Sequence, residues 1–176
     1  MEVSTQLRPT TSAIAMRFGL LTGVVSIIYW FLLMVTGQMG NSALGFLALA
    51  ILVGGIVLAQ RAFRTSNGGF MSYGEGLGIG MLVSLISGLL STIFSYVYRE
   101  FVDPSITQQV ADQARAKLEE GGNLSEEQID QAVAMSQKFS SGPMSLVVGI
   151  VGSLIVGLLL SLIISAIMKR TRPEFE

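Results

Sequence analysis

The sequence predicts an all-α, polytopic membrane protein. Four transmembrane helices form an antiparallel bundle, and an extramembrane helical hairpin lies between spans three and four. Three observations predict this. Four runs, Phe18–Gly37, Ser42–Ala59, Gly76–Tyr98 and Met144–Met168, are apolar and almost free of charge. Each is near the 20 or so residues that a helix rising 1.5 Å per residue needs to cross roughly 30 Å of hydrocarbon. Only 13% of the 176 residues are charged and 51% are hydrophobic, against about 25% charged in a soluble domain. Basic residues gather at the run ends that an even number of crossings brings to one side.

The chain reads as a single membrane domain over 1-176, with spans at about 14-37, 42-60, 75-100 and 144-169. The polar start Met1–Arg17 and the length of the run that follows fit a retained first span rather than a cleaved signal. Arg8 and Arg17 precede that span, Arg61 and Arg64 follow the second, and Lys169, Arg170 and Arg172 follow the fourth. The loop between spans three and four (residues 99-143) holds the four remaining cations, Arg99, Arg115, Lys117 and Lys138, against eight acids, a net of −4. The positive-inside rule then puts both termini in the cytoplasm and the 99-143 loop outside. Phe63, Phe70 and Tyr73 at one membrane face, and Phe94, Tyr96, Tyr98 and Phe101 at the other, sit where interfacial aromatics belong. Trp30, deeper in span one, reads as a lipid-facing or core aromatic rather than a ligand contact.

The 103-140 insert has helix signals of its own. Asp103-Pro104 offers a carboxylate N-cap before a proline at the first helical position. Ile106, Val110, Ala114 and Leu118 form one stripe, and Gly121-Gly122 end it. Ser125 with Gln128 has capping-box spacing, and Leu124 is placed to staple onto Ile129. Ile129, Val133 and Phe139 then give a second apolar face beside Ala132.

Within the spans the informative residues are small. Gly76, Gly80, Ser84, Gly88 and Thr92 recur every four residues in span three; Gly149, Ser153, Gly157, Ser161 and Ser165 do so in span four. Small residues four apart let helix backbones approach closely, which replaces the hydrophobic drive that lipid removes. The stripes fit packing of span three on span four within one chain, the expected arrangement, or a homodimer face. At one membrane edge Glu75, Arg61 and Arg64 mark a candidate interface edge. There Glu75 reads chiefly as an acid at a helix N-terminus near an arginine.

Chemistry is thinly represented. Cysteine and histidine are absent, which removes thiol and imidazole catalysis and most zinc or haem ligation. No ionisable residue lies mid-span, where a coupled transporter usually carries one. The expectation is a non-enzymatic interaction or scaffold component; the alternative is part of an oligomeric channel or transporter. No catalytic, cofactor-binding or metal residue is assigned. The expected partners are the lipid bilayer and either a second copy or a membrane or envelope protein, not nucleic acid; the net charge of −1 suits neither DNA nor RNA.

The segment Asn67-Gly68-Gly69-Phe70-Met71-Ser72-Tyr73-Gly74-Glu75-Gly76, with Phe101-Val102-Asp103-Pro104 and Met16-Arg17-Phe18-Gly19-Leu20, resembles a bacterial family of four-span membrane proteins, the domain of unknown function numbered 4199. The resemblance runs over nearly the whole chain. It implies a bacterial inner-membrane protein, which would make the outside of the 99-143 loop the periplasm, and brings no activity, substrate or catalytic residue.

Overall fold

The computed structural model describes residues 10–39 and 41–171. Arg8 and Arg172, which enter the charge argument above, lie outside the described residues. Four helices are long and apolar enough to cross a membrane: α1 (Thr11–Val35), α2 (Ser42–Ser66), α3 (Tyr73–Val97, prolonged by a π-helical turn over Tyr98–Val102) and α6 (Met144–Met168). Between the last two lie α4 (Ser105–Glu120) and α5 (Glu126–Ser140).

The helix ends follow from local chemistry. Thr10, Asn41 and Ser72 each accept a backbone N–H from the first turn of the helix they precede, satisfying donors that would otherwise enter the bilayer bare. The Ser72 cap is reciprocal: Glu75 Oε2 accepts from the Ser72 backbone N–H at 2.7 Å. Gly68 and Gly69 turn the chain between α2 and α3 at φ +69° and +88°, angles costly for other residues. The expected limits shift accordingly. Helix α1 begins before residue 14 and ends before 37, α2 continues past 60 to Ser66, and α3 starts at Tyr73.

Helix α3 is the centre of the bundle, packing on α1 along one face and on α6 along another. Gly19 and Gly23 of α1 face Ile86 and Leu90 of α3. The equal forward steps make these helices parallel, as two crossings apart requires. Helix α2 runs antiparallel to both, with Gly55 against Thr22 of α1 and Ile56 against Gly80 of α3. The buried core, Ala15, Ile56, Ala59, Phe63, Met71, Ile79, Val83 and Ile164, lies toward the end that carries Arg61 and Arg64. That end is called the basic end below, and the opposite one the hairpin end. At the basic end Met71 and Arg170 exchange backbone hydrogen bonds of 2.9 and 2.8 Å, so the α2–α3 turn and the segment after α6 are tied together.

Sequence expectations change at four residues, Phe63, Asp103, Leu124 and Phe139, and are met at Trp30. Phe63 is core rather than an interfacial aromatic, at 5% exposure. Trp30 does pack, edge-on to Phe94 and Tyr98 with ring centroids 6.0 and 5.8 Å away. In the hairpin, Asp103 stands one residue before the N-cap and accepts from the Ser105 backbone N–H at 3.1 Å. Phe139 is exposed and so is Leu124, although Ile106, Ala111 and Ile129 are buried. Phe139 lies ten residues beyond Ile129, near the 10.8 of three full turns. It trails the face by most of one residue's rotation, and Gln137 and Ser140 flank that face instead.

Candidate functional site

The small residues of α3 and α6 meet one another, rung by rung. A Cβ added to Gly76 would stand 2.9 Å from Ser165 Oγ, and one on Gly88 2.5 Å from Ser153 Cβ. One on Gly149 would stand 2.6 Å from Thr92 Cγ2. Added carbons on Gly80 and Gly157 would collide with Ser161 and Ser84. At every rung one glycine faces one serine or threonine, and each step of four along α3 is matched by a step of four back along α6. Neither helix could take a larger side chain without moving its neighbour. The seam therefore brings together Gly76, Gly80, Ser84, Gly88, Gly149, Ser153 and Gly157.

The hydroxyls of this seam do not act across it. Ser84 Oγ donates to Gly80 O at 2.9 Å and Ser153 Oγ to Ile150 O at 2.8 Å, each on its own helix. Such back-bonding hides a hydroxyl in an apolar medium, so these serines pack rather than react.

One buried polar side chain joins three helices, and the apolar pattern concealed it. Gln60 of α2 is fully buried. Its Nε2 donates to Gly76 O and to Ser165 Oγ, both at 2.9 Å, tying α2 to α3 and α6 at once. Among the described residues Gln60 Oε1 and Ser161 Oγ have no partner. The signal was available, because Gln60 is the one Asn or Gln inside any of these four helices. It stands one place beyond the apolar run that ends at Ala59, although the helix continues for more than a turn.

At the basic edge the structure separates the residues that sequence spacing grouped. Among the described residues no ion pair joins Glu75 to Arg61 or Arg64. Glu75 is used in the capping box, accepting also from Ser72 Oγ at 2.8 Å. Arg64 Nη1 lies 3.4 Å from Met168 O, at the carbonyl end of α6, where a cation meets the negative end of the helix dipole. Arg61 is exposed. A polar cleft of about 370 Å³ opens beside them, lined by Asn67, Ser72, Glu75 and Arg170 among others.

A second concavity enters from the hairpin end. Two adjoining cavities of about 250 and 160 Å³ share Ser26, Ala48 and Ser91 and reach Ser84 and Ser153. They open beside the first half of α2, which the Tyr29 hydroxyl of α1 holds by donating to Leu44 O at 2.7 Å but where residues 45–50 are all exposed, whereas Gly55, Ile56, Ala59, Gln60 and Phe63 are buried. Toward the basic end Ile56, Ile79 and Val83 are fully buried, so packed side chains floor this crevice.

The extramembrane hairpin has a defined build. Ser125 and Gln128 form their capping box. Arg115 of α4 meets Glu119 at 2.9 Å and reaches across to Asp130 of α5 at 2.7 Å. Its hydrogen bond to Glu119 and the charge of Asp130 hold its pKa above the ordinary arginine value. Arg99, at the end of span three, donates to Ser140 O at 3.1 Å and so pins the far end of α5 to the bundle.

The family described as "Protein of unknown function (DUF4199)" matches the chain over residues 17–170. No curated protein and no solved structure matches it.

Proposed function

The chain belongs to the DUF4199 family, which brings no activity with it, and on that premise we propose that it is a non-enzymatic interaction or scaffold component of a bacterial inner membrane. Both termini and the basic end face the cytoplasm, and the α4–α5 hairpin faces the periplasm, where it meets a membrane or envelope protein. The observation that carries this reading is the hairpin itself. It is capped, cross-braced by Arg115 and tied to the bundle by Arg99, more structure than a connection between two spans needs. The glycine-serine seam supports it from the other side, because the stripes that could pair two copies are used within one chain.

The crevice at Ser26 and Ser91 favours a second reading, a component of an oligomeric channel or transporter, since it reaches the middle of α3 and α6. The buried layer at Ile56, Ile79 and Val83 weighs against a path through one chain.

Two experiments test the proposal. Cysteines placed singly at Ser66 and Ser125 in this cysteine-free chain should be labelled by an impermeant thiol reagent from outside at residue 125 only; the reverse pattern overturns the orientation. Replacing 103-140 with a flexible linker should leave four inserted spans, because each helix satisfies its own backbone, and should abolish crosslinking to partners in cells. Retention of every crosslink would move the contact into the spans.

A further inference from the structure

We propose that the basic end carries a binding site for the phosphate of an anionic phospholipid, centred on Arg17 of α1 and Arg61 of α2. The register of the two helices supports this first. Thr22 faces Gly55, and counting back five residues on α1 and forward five on α2 puts Arg17 level with Gln60, beside Arg61. Both arginines are exposed, so two cationic residues start from about the same level on adjacent antiparallel helices.

That depth suits a headgroup. Each helix has 25 residues, about 37 Å of length across roughly 30 Å of hydrocarbon. Arg17 is six residues inside one end and Arg61 five inside the other, so both side chains start near the hydrocarbon boundary. Helical side chains lean toward the N-terminus, which for Arg17 is the basic end; Arg61, on the antiparallel helix, leans the other way and reaches the interface by extending its long side chain, as cationic side chains do.

Among the described residues the charge around them is uncompensated. Arg17, Arg61, Arg64, Lys169 and Arg170 lie at this end, and among the described residues none of the five makes an ion pair. The one described acid there, Glu75, is bound to Ser72 in its capping box. A guanidinium is suited to phosphate because its planar donors fork onto two oxygens. A cationic surface at headgroup level attracts anionic lipid. The same chemistry would accept free phosphate; the position at the bilayer boundary favours the lipid.

The test uses the purified full chain in detergent, with lipid binding read by native mass spectrometry. Phosphatidylglycerol and phosphatidylcholine of identical acyl chains are compared. Phosphatidylglycerol should bind preferentially, and Arg17→Gln or Arg61→Gln should each reduce that binding about fivefold while leaving phosphatidylcholine unchanged. Arg61→Lys should restore part of the loss, since it keeps the charge without the fork. Equal binding of the two lipids, or a double Gln variant that keeps the preference, would overturn the proposal and leave the arginines to thread the chain. Competition by millimolar inorganic phosphate that empties the site would overturn the lipid assignment. Should the Gln variants fail to insert, salt titration of the unaltered chain decides. The preference should fade as ionic strength rises, and a salt-independent preference counts against the site.

Discussion

Helices α6 and α2 lie on the same central helix, α3, and are held there in opposite ways. Helix α6 meets it along the full seam, five rungs of glycine against serine or threonine, with no hydrogen bond crossing. Helix α2 meets it over its second half, where Ile56 and Gln60 are fully buried and Gln60 donates to Gly76 O and Ser165 Oγ; its first half is exposed at residues 45–50 and is tied to α1 instead, by the Tyr29 hydroxyl donating to Leu44 O. In lipid, where apolar side chains gain little by leaving one apolar medium for another, these are the two devices available. Repeated close backbone approach fixes a whole helix. A buried amide fixes one level of α2 on α3, and the serine-lined crevice opens beside the exposed half that the amide does not reach.

The largest expected effect comes from breaking the seam. Gly80→Leu or Gly157→Leu drives four carbons into Ser161 or Ser84 and the backbone behind it, and should cost about 3 kcal/mol or more, read as a lower melting temperature in detergent. Gln60→Ala removes both cross-helix bonds and should cost about 1–2 kcal/mol. A much larger loss would mean that α2 depends on the amide more than its packing suggests. Smaller again is a contrast within α6 itself. An added Cβ on Gly152 meets nothing within 4 Å, whereas one on Gly157 meets Ser84. Gly152→Ala should be neutral or stabilising by at most about 1 kcal/mol, and Gly157→Ala destabilising. If both behave alike, the seam is not where stability resides. Least of all, Phe46→Ala on the free half of α2, where the ring is 72% exposed, should change stability by less than about 0.5 kcal/mol.

The sequence disclosed the spans and the spacing because hydrocarbon and the helical repeat impose both directly. It did not disclose which stripe meets which. Gly80 and Ser84 need only small neighbours, and Ser161 and Gly157 of the same chain satisfy that as well as a second copy would. Gln60 was hidden by an apolar run ending at Ala59, although the helix carries on to Ser66. Glu75 and Arg64 were close in sequence to plausible partners, but each is taken by backbone and hydroxyl groups, Ser72 for one and Met168 O for the other. Local caps compete with ion pairs at a helix end, and only coordinates reveal the outcome.

The seam's place within one chain bears most directly on the whole account, since it leaves the hairpin and not the stripes to meet a partner. The chain has no cysteine, so a Thr92→Cys, Gly149→Cys pair can be introduced cleanly. A Cβ at Gly149 would lie 3.3 Å from that of Thr92, near the roughly 3.8 Å typical of a disulfide. Oxidation in membranes, followed by non-reducing electrophoresis, should give a crosslinked species at monomer mass in the double variant and none in either single variant. A product at dimer mass would contradict the account and assign the seam to an interface between copies.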